Sequence, residues 1–501
     1  MSYIENLEKE AAKTRTLNGA AAYSASGNAC LDLFAVGGGM RYRRKDDIIH
    51  LFERAYIETP DLAMKLLFHI RDIREGMGER DIFRTLLRHT ARMWPESAEK
   101  NVRYISEYGR WDDLLCLLGT PAEQTAVSII KQQLENDLDA VKRRQEGELN
   151  APVSLLGKWL PSTNTSSART CRQGKKLMNA LGMTEHEYRE TLKVLRANSC
   201  ITEKYLTDKR VAKIRYEAVP SEAMLKYRNA FNRHDEARFT EFIEAVKEGK
   251  ASVHTDTLFP YEVMKPLFDN RSWKSKPKSE FDAKVLDAIW SSLGSEAGAK
   301  NAISVIDTSG SMYCGAGNIK PITVALSLGL YFAERNKGAF NNSFITFSNR
   351  PQLQKIQGRT LAEKIRCMEK SEWGMSTNLE AVFELLLKTA IDSDASQEEM
   401  PSAIYIISDM EFNQCVSKAN KTLYDNAKDR FAAYGYELPA VVFHNVNSWH
   451  MQVPVRANTK GAAMTSGASR TAFKQEIHEN MTPLSHMLRV LESKRYEKIC
   501  A

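Results

Sequence analysis

Cysteine pairs with metal or redox spacing are missing from this 501-residue sequence. The eight cysteines (Cys30, Cys116, Cys171, Cys200, Cys314, Cys367, Cys415 and Cys500) stand apart, with no CxxC. That excludes a thiolate zinc site and leaves no disulfide framework of the secreted kind. No run approaches the roughly 18 apolar residues that a membrane span needs. The first ten residues are polar and charged, unlike a signal peptide. A soluble, cytoplasmic protein is the expectation. Enzyme signatures are equally scarce. There is no nucleophile elbow, P-loop, HExxH or kinase motif, and the ten histidines do not cluster. A non-enzymatic role is therefore expected.

What is present divides the chain into segments of different pattern, as its length suggests. Residues 1–46 mix Ser, Ala and Gly, end in Gly37-Gly38-Gly39 and four cations, and read as a mobile arm anchored by Leu31, Leu33 and Phe34. Residues 47–270 carry helical periodicity. Leu62, Leu66, Leu67 and Ile70 share one face, Pro60 starts that helix, and Gly76-Met77-Gly78 ends it. Further runs interrupted by glycine suggest stacked helical hairpins, a HEAT-like repeat architecture that is able to form a ring. Residues 271–300 are rich in Ser and Lys and read as a connector with an amphipathic insert, Phe281 to Trp290.

From 301 to 501 the pattern changes. Apolar runs at 302–306, 343–347, 403–407 and 440–443 alternate with helical segments at 321–334, 379–387 and 422–433. That alternation predicts an α/β domain with a mostly parallel sheet, so the whole chain is expected to be α followed by α/β. Ligands of such sheets sit beyond the carboxyl ends of the strands, where Asp307 and Asp409 fall.

Asp307-Thr-Ser309-Gly-Ser311 is a DxSxS motif directly after a strand. Thr377, on a loop before a helix, and Asp409 add a hydroxyl and a second carboxylate. These hard oxygen donors suit Mg²⁺, Mn²⁺ or Ca²⁺ rather than zinc. Standing alone, the motif is equally a helix cap and a turn. The full constellation resembles the metal-ion-dependent adhesion site (MIDAS) of von Willebrand A domains. That resemblance implies that Ser309, Ser311 and Thr377 contact the ion, with Asp307 and Asp409 acting directly or through water. It also implies an open position for water or for an acidic group on a partner protein.

Arg71, Arg74, Arg80 and Arg84 and the Glu107-Tyr-Gly-Arg-Trp-Asp-Asp-Leu-Leu115 segment are distinctive. With the metal motif, Lys158-Trp-Leu-Pro-Ser162, Pro220-Ser-Glu-Ala-Met224 and Tyr496-Glu-Lys-Ile499, they resemble the Ro ribonucleoprotein (TROVE-domain) group. The resemblance implies binding of single-stranded RNA ends or small structured RNAs. Charge supplies an independent expectation. Residues 151–234 hold 16 Lys and Arg against 7 Asp and Glu, a larger excess than the +7 of the whole chain. Lys158, Arg169, Arg172, Lys175, Lys176, Lys193, Arg196, Lys209, Arg210, Lys213 and Arg215 are the candidate phosphate-contacting residues. Tyr188, Tyr205 and Tyr216 are candidate stacking platforms for unpaired bases. The alternatives are a solvated helical face and a metal-dependent protein-interaction adaptor that binds no RNA.

Overall fold

The computed structural model describes residues 3–199, 201–268, 274–276, 278–294, 301–314, 319–371, 373–374, 376–413, 421–475 and 477–501. A hairpin near the start of the chain is formed by β1 (Lys13–Arg15) and β2 (Ala21–Tyr23). The main sheet comprises β3 (Ile303–Ile306), β4 (Ser343–Thr346), β5 (Leu353–Lys355), β6 (Ala403–Ser408), β7 (Ala440–Asn445) and β8 (Ala462–Ser466). Its order is β5-β4-β3-β6-β7-β8, and every neighbouring pair is parallel except β4 with β5. Every residue of β3, β4, β6, β7 and β8 is buried, the state that their continuous apolar runs demand when helices cover both faces.

Because side chains alternate along a strand, the sheet feeds two separate cores. Ile303, Val305, Ile404, Ile406, Val441 and Phe443 point to one face. There they pack with helices Leu379–Asp392 and Leu423–Ala433 and share a core with helices Lys45–Glu58, Pro60–Arg71 and Arg80–Met93. Ile306, Tyr405, Ile407 and Val442 point to the other face, with helices Ser221–Lys247, Glu280–Ser292 and Pro321–Arg335. The helical half is thus divided between the two faces of the sheet.

Two expectations from the sequence are corrected by this packing. Residues before 46 are not a mobile arm. β2 pairs with Val453, with Tyr23 N donating to Val453 O at 2.9 Å and the reverse bond at 2.8 Å. Helix Ala29–Gly37 is buried along its whole length. The glycines after it serve close approach rather than flexibility. A Cβ on Gly38 would stand 2.5 Å from Gly467 Cα, and one on Gly39 would stand 2.6 Å from Ser448 Oγ.

The expected connector is likewise built into a core. Val285, Leu286, Ile289 and Trp290 of helix Glu280–Ser292 are buried against helix Pro321–Arg335, and Trp290 Nε1 donates to Glu334 Oε2 at 2.6 Å. The amphipathic insert has simply found its apolar partner. The rest of that stretch, 271–273, 277 and 295–300, lies outside the described residues.

The last residues close the structure onto its beginning. Asp72, fully buried, accepts from Arg495 Nε at 2.8 Å, Arg495 Nη2 at 3.1 Å and the Tyr496 hydroxyl at 3.2 Å. Asn101 Nδ2 donates to Cys500 O at 2.5 Å, and Lys100 Nζ to Ala501 O at 2.6 Å. No described helix is long and apolar enough to cross a membrane.

Candidate functional site

The parallel register of β3 and β6 sets Ile306 beside Ile407, so Asp307 and Asp409 leave neighbouring strands at the same carboxyl edge. Asp307 N donates to Ile407 O at 3.0 Å, which fixes the turn. Asp307 is completely buried. Its Oδ1 accepts from Ser309 N at 2.8 Å and its Oδ2 from Ser408 Oγ at 2.5 Å. Ser309 Oγ and Ser311 Oγ are 3.1 Å apart. Asp409 Oδ1 accepts from Glu411 N at 3.3 Å, whereas its Oδ2 is buried with no hydrogen-bond partner. Met410, directly after it, has φ of +67°, an uncommon conformation for a side chain of this size.

Burial raises both carboxyls above their ordinary range. For Asp409 the neighbouring Asp307 charge adds to the rise, and hydrogen bonding from Ser311 offsets it only in part. Among the described residues, no lysine or arginine forms an ion pair with either carboxylate. Two desolvated carboxylates, an orphaned oxygen and two adjacent hydroxyls make a donor set of the right hardness for Mg²⁺ or Mn²⁺. Among the described residues no three His, Cys, Asp or Glu side chains are grouped to share an ion, so hydroxyls have to complete any such shell.

Four of the five expected ligands, Asp307, Ser309, Ser311 and Asp409, meet in this cluster. Thr377 does not join them through its hydroxyl. It is buried nearby, but Oγ1 donates to Glu411 O at 2.8 Å and lies 3.1 Å from Asn413 Oδ1. The loop after Asp409 competes successfully for that hydroxyl. The same loop is held by residues that its sequence does not reveal. Glu411 accepts from Leu17 N at 2.7 Å and Gln452 Nε2 at 2.7 Å, and its Oε1 lies 2.8 Å from His450 Nδ1. Asn18 Nδ2 donates to Glu411 O at 2.7 Å, and Thr16 Oγ1 to Phe412 O at 2.6 Å. The N-terminal hairpin therefore braces the site. Nothing short of long-range contact information links residues 16–18 to 411–412.

The basic residues separate into two groups. Arg196 is consumed internally, donating to Gly157 O, Ser162 Oγ and Leu160 O at 2.8 Å each. Lys158 pairs with Glu203 at 3.2 Å, Lys193 with Glu190 at 3.1 Å and Arg210 with Asp208 at 2.5 Å. By contrast Arg169, Arg172, Lys175 and Lys176 are exposed on helix Ala168–Ala180, which contains no acidic residue and forms no ion pair. Spacings of three and four bring Arg169, Arg172 and Lys176 onto one face, with Lys175 beside them. Lys209, Lys213 and Arg215 are exposed and unpaired elsewhere.

The stacking expectation is corrected for two tyrosines. Tyr188 is 1% exposed with its hydroxyl on Pro161 O at 2.8 Å, and Tyr216 packs among Phe231, Phe239 and Phe242. Both are core side chains; Tyr205 is half-buried. The arginines near the first glycine turn are also structural. Arg71 and Arg84 grip the buried Asp113 at 2.7 and 2.6 Å. His444 is a satisfied core histidine, 2.8 Å from both Thr465 Oγ1 and Gly467 O.

Comparison with known proteins brings families without an assigned activity. Residues 16–131 and 165–299 match the family described as a domain of unknown function, DUF2828. Residues 301–495 match a second, DUF7788. The uncharacterized protein L728 of Acanthamoeba polyphaga mimivirus is 29% identical over 509 residues, covering 95% of this chain and 87% of that one. The crystal structure of the Deinococcus radiodurans Ro (RSR) protein aligns with 90% of this chain and 99% of its own, at 14% identity and a TM-score of 0.46.

Proposed function

We propose that this chain, which belongs to the DUF2828 family, is an RNA-binding scaffold carrying a divalent-metal site at the carboxyl edge of its sheet. The observation that carries the RNA reading is helix Ala168–Ala180. Four exposed cations, no acid and no ion pair leave a positive face with nothing in the chain to neutralise it. A solvated face that serves only solubility ordinarily interleaves both signs. Phosphates are the natural complement, and the sequence resemblance to the Ro group points to the same ligand. Lys209, Lys213 and Arg215 extend the set of unpaired cations; Lys158, Lys193, Arg196 and Arg210 serve internal pairing. Replacing Arg169, Arg172, Lys175 and Lys176 by Gln should abolish filter retention of a single-stranded RNA at low salt. Unchanged retention would remove the proposal's support.

A second reading is favoured by the orphaned Asp409 Oδ2. Asp307, Ser309, Ser311 and Asp409 would hold Mg²⁺ or Mn²⁺, with Thr377 in reserve if its hydroxyl leaves the Glu411 carbonyl. Such an ion supplies an exchangeable position for water or for a partner's carboxylate. On that reading the sheet edge captures an acidic protein partner, with or without RNA on the helical face. The two are separable, because the helix variant spares the metal loops and an Asp307→Ala variant spares the helix.

A further inference from the structure

The largest enclosed space at the seam between the beginning and end of the chain belongs to neither surface. It is a cavity of about 340 Å³. Helices Ala29–Gly37 and Pro60–Arg71 and the Gly76-Met77 turn line one side, and the end of β8 and helix Pro483–Leu491 line the other. Ligand pockets favour such seams, and this volume is at the small end of their range.

We infer that this cavity binds a nucleoside monophosphate whose base carries an exocyclic amine, the base lying among Phe34, His69, His486 and Tyr496 and the phosphate meeting Arg489. The inner wall offers flat faces. Phe34 and His69 are stacked with centroids 5.5 Å apart, and His486 and Tyr496 stand edge-on beside them. It also offers acceptors. Tyr496 donates its hydroxyl proton to Asp72 at 3.2 Å, so the 3.0 Å contact between His69 Nδ1 and Tyr496 Oη requires Nδ1 to carry the imidazole proton. His69 Nε2 is then a bare acceptor. Gln475 Oε1, also lining the space, is buried without a partner. His486, 2% exposed, leaves Nδ1 buried and unpartnered, a group that costs stability unless something bonds it.

Acceptors on this wall select a ring that donates, hence the amine of adenine or cytosine over the carbonyl of uracil or hypoxanthine. At the mouth, Lys474 is 3.3 Å from Glu75, while exposed Arg489 forms no ion pair. That leaves one uncompensated cation for a phosphate.

Isothermal titration of the full chain with AMP, CMP, UMP, IMP and inorganic phosphate tests the inference. AMP or CMP should bind at one site, with UMP and IMP weaker. Arg489→Ala, at an exposed position, should weaken AMP about tenfold, the worth of one charge-assisted contact, and leave adenosine unchanged. A 5′-phosphorylated oligoadenylate that displaces AMP would identify a chain end as the source; AMP binding without displacement would identify the free nucleotide. Either supports the site. The variant neutralised at 169, 172, 175 and 176 should bind AMP normally, so failure of the RNA proposal leaves this one standing. No binding of AMP or CMP at millimolar concentration, equal binding of UMP, or indifference to Arg489→Ala would overturn it.

Discussion

Arg495→Ala should destabilise the chain by about 3 kcal/mol, because it strands a buried charge at the point where the two ends meet. Asp72 is 0% exposed and takes two of its side-chain bonds from Arg495, at 2.8 and 3.1 Å. Removing one partner of a buried pair costs about 3–5 kcal/mol, chiefly through the uncompensated charge that remains. The lower end applies, because Arg495 retains 20% of its side-chain exposure and water can reach the gap. Tyr496 still donates to Asp72, which also keeps the loss from growing. The double variant Asp72→Asn with Arg495→Ala removes the charge as well as its partner and should recover part of the loss. Urea denaturation followed by circular dichroism reads both. A loss below about 1 kcal/mol for Arg495→Ala, the range of surface pairs, would refute the claim that this contact locks the ends together.

Mg²⁺ or Mn²⁺ at about 100 times its dissociation constant should stabilise the protein by about 2.7 kcal/mol, and Asp307→Ala should erase that gain. An equal gain from Zn²⁺ alone would contradict the hard-donor reasoning. Trp290→Ala should cost about 3–5 kcal/mol, since this 3% exposed side chain joins helix Glu280–Ser292 to its neighbour; near-neutral behaviour in urea would restore the connector reading. His69, His444 and His486 are each held down to about 4 by burial, against an ordinary value of 6.5. The unfolded chain therefore takes up these protons first, and the stability they contribute, complete above pH 6.5, should be lost between pH 6.5 and 4. A flat urea midpoint across that window would show that the imidazoles are not buried neutral.

Much of the sheet was legible because buried parallel strands write themselves as short apolar runs. Ala302–Ile306, Ala403–Ile407 and Ala440–Phe443 fall on β3, β6 and β7 nearly to the residue. β8, Ala-Ala-Met-Thr-Ser, escaped notice because it has neither aromatic nor aliphatic β-branched residues, and β5 because it is a short, largely exposed edge. The N-terminal segment was misread for a physical reason. Its small residues look like loop composition, yet they permit backbone contact with residues more than 400 positions away. Tyr188 was avoidable. With Leu192 and Leu195 it forms the buried stripe of helix Glu185–Asn198, opposite the cations that drew attention to it. At the metal loops, strand register explains why four of the five residues converge. Thr377 escaped because its choice of partner depends on how the Glu411 loop folds.

The salt dependence of RNA affinity tests the central claim most directly. Each phosphate contact to a single strand contributes about 0.7 to the slope of log K against log salt. Wild-type protein should bind a short single-stranded RNA with a steep negative slope. Replacing Arg169, Arg172, Lys175 and Lys176 by Gln should reduce that slope by about 3, four contacts at that value. A wild-type affinity that is absent at low ionic strength, or a slope unmoved by the four substitutions, would contradict the account.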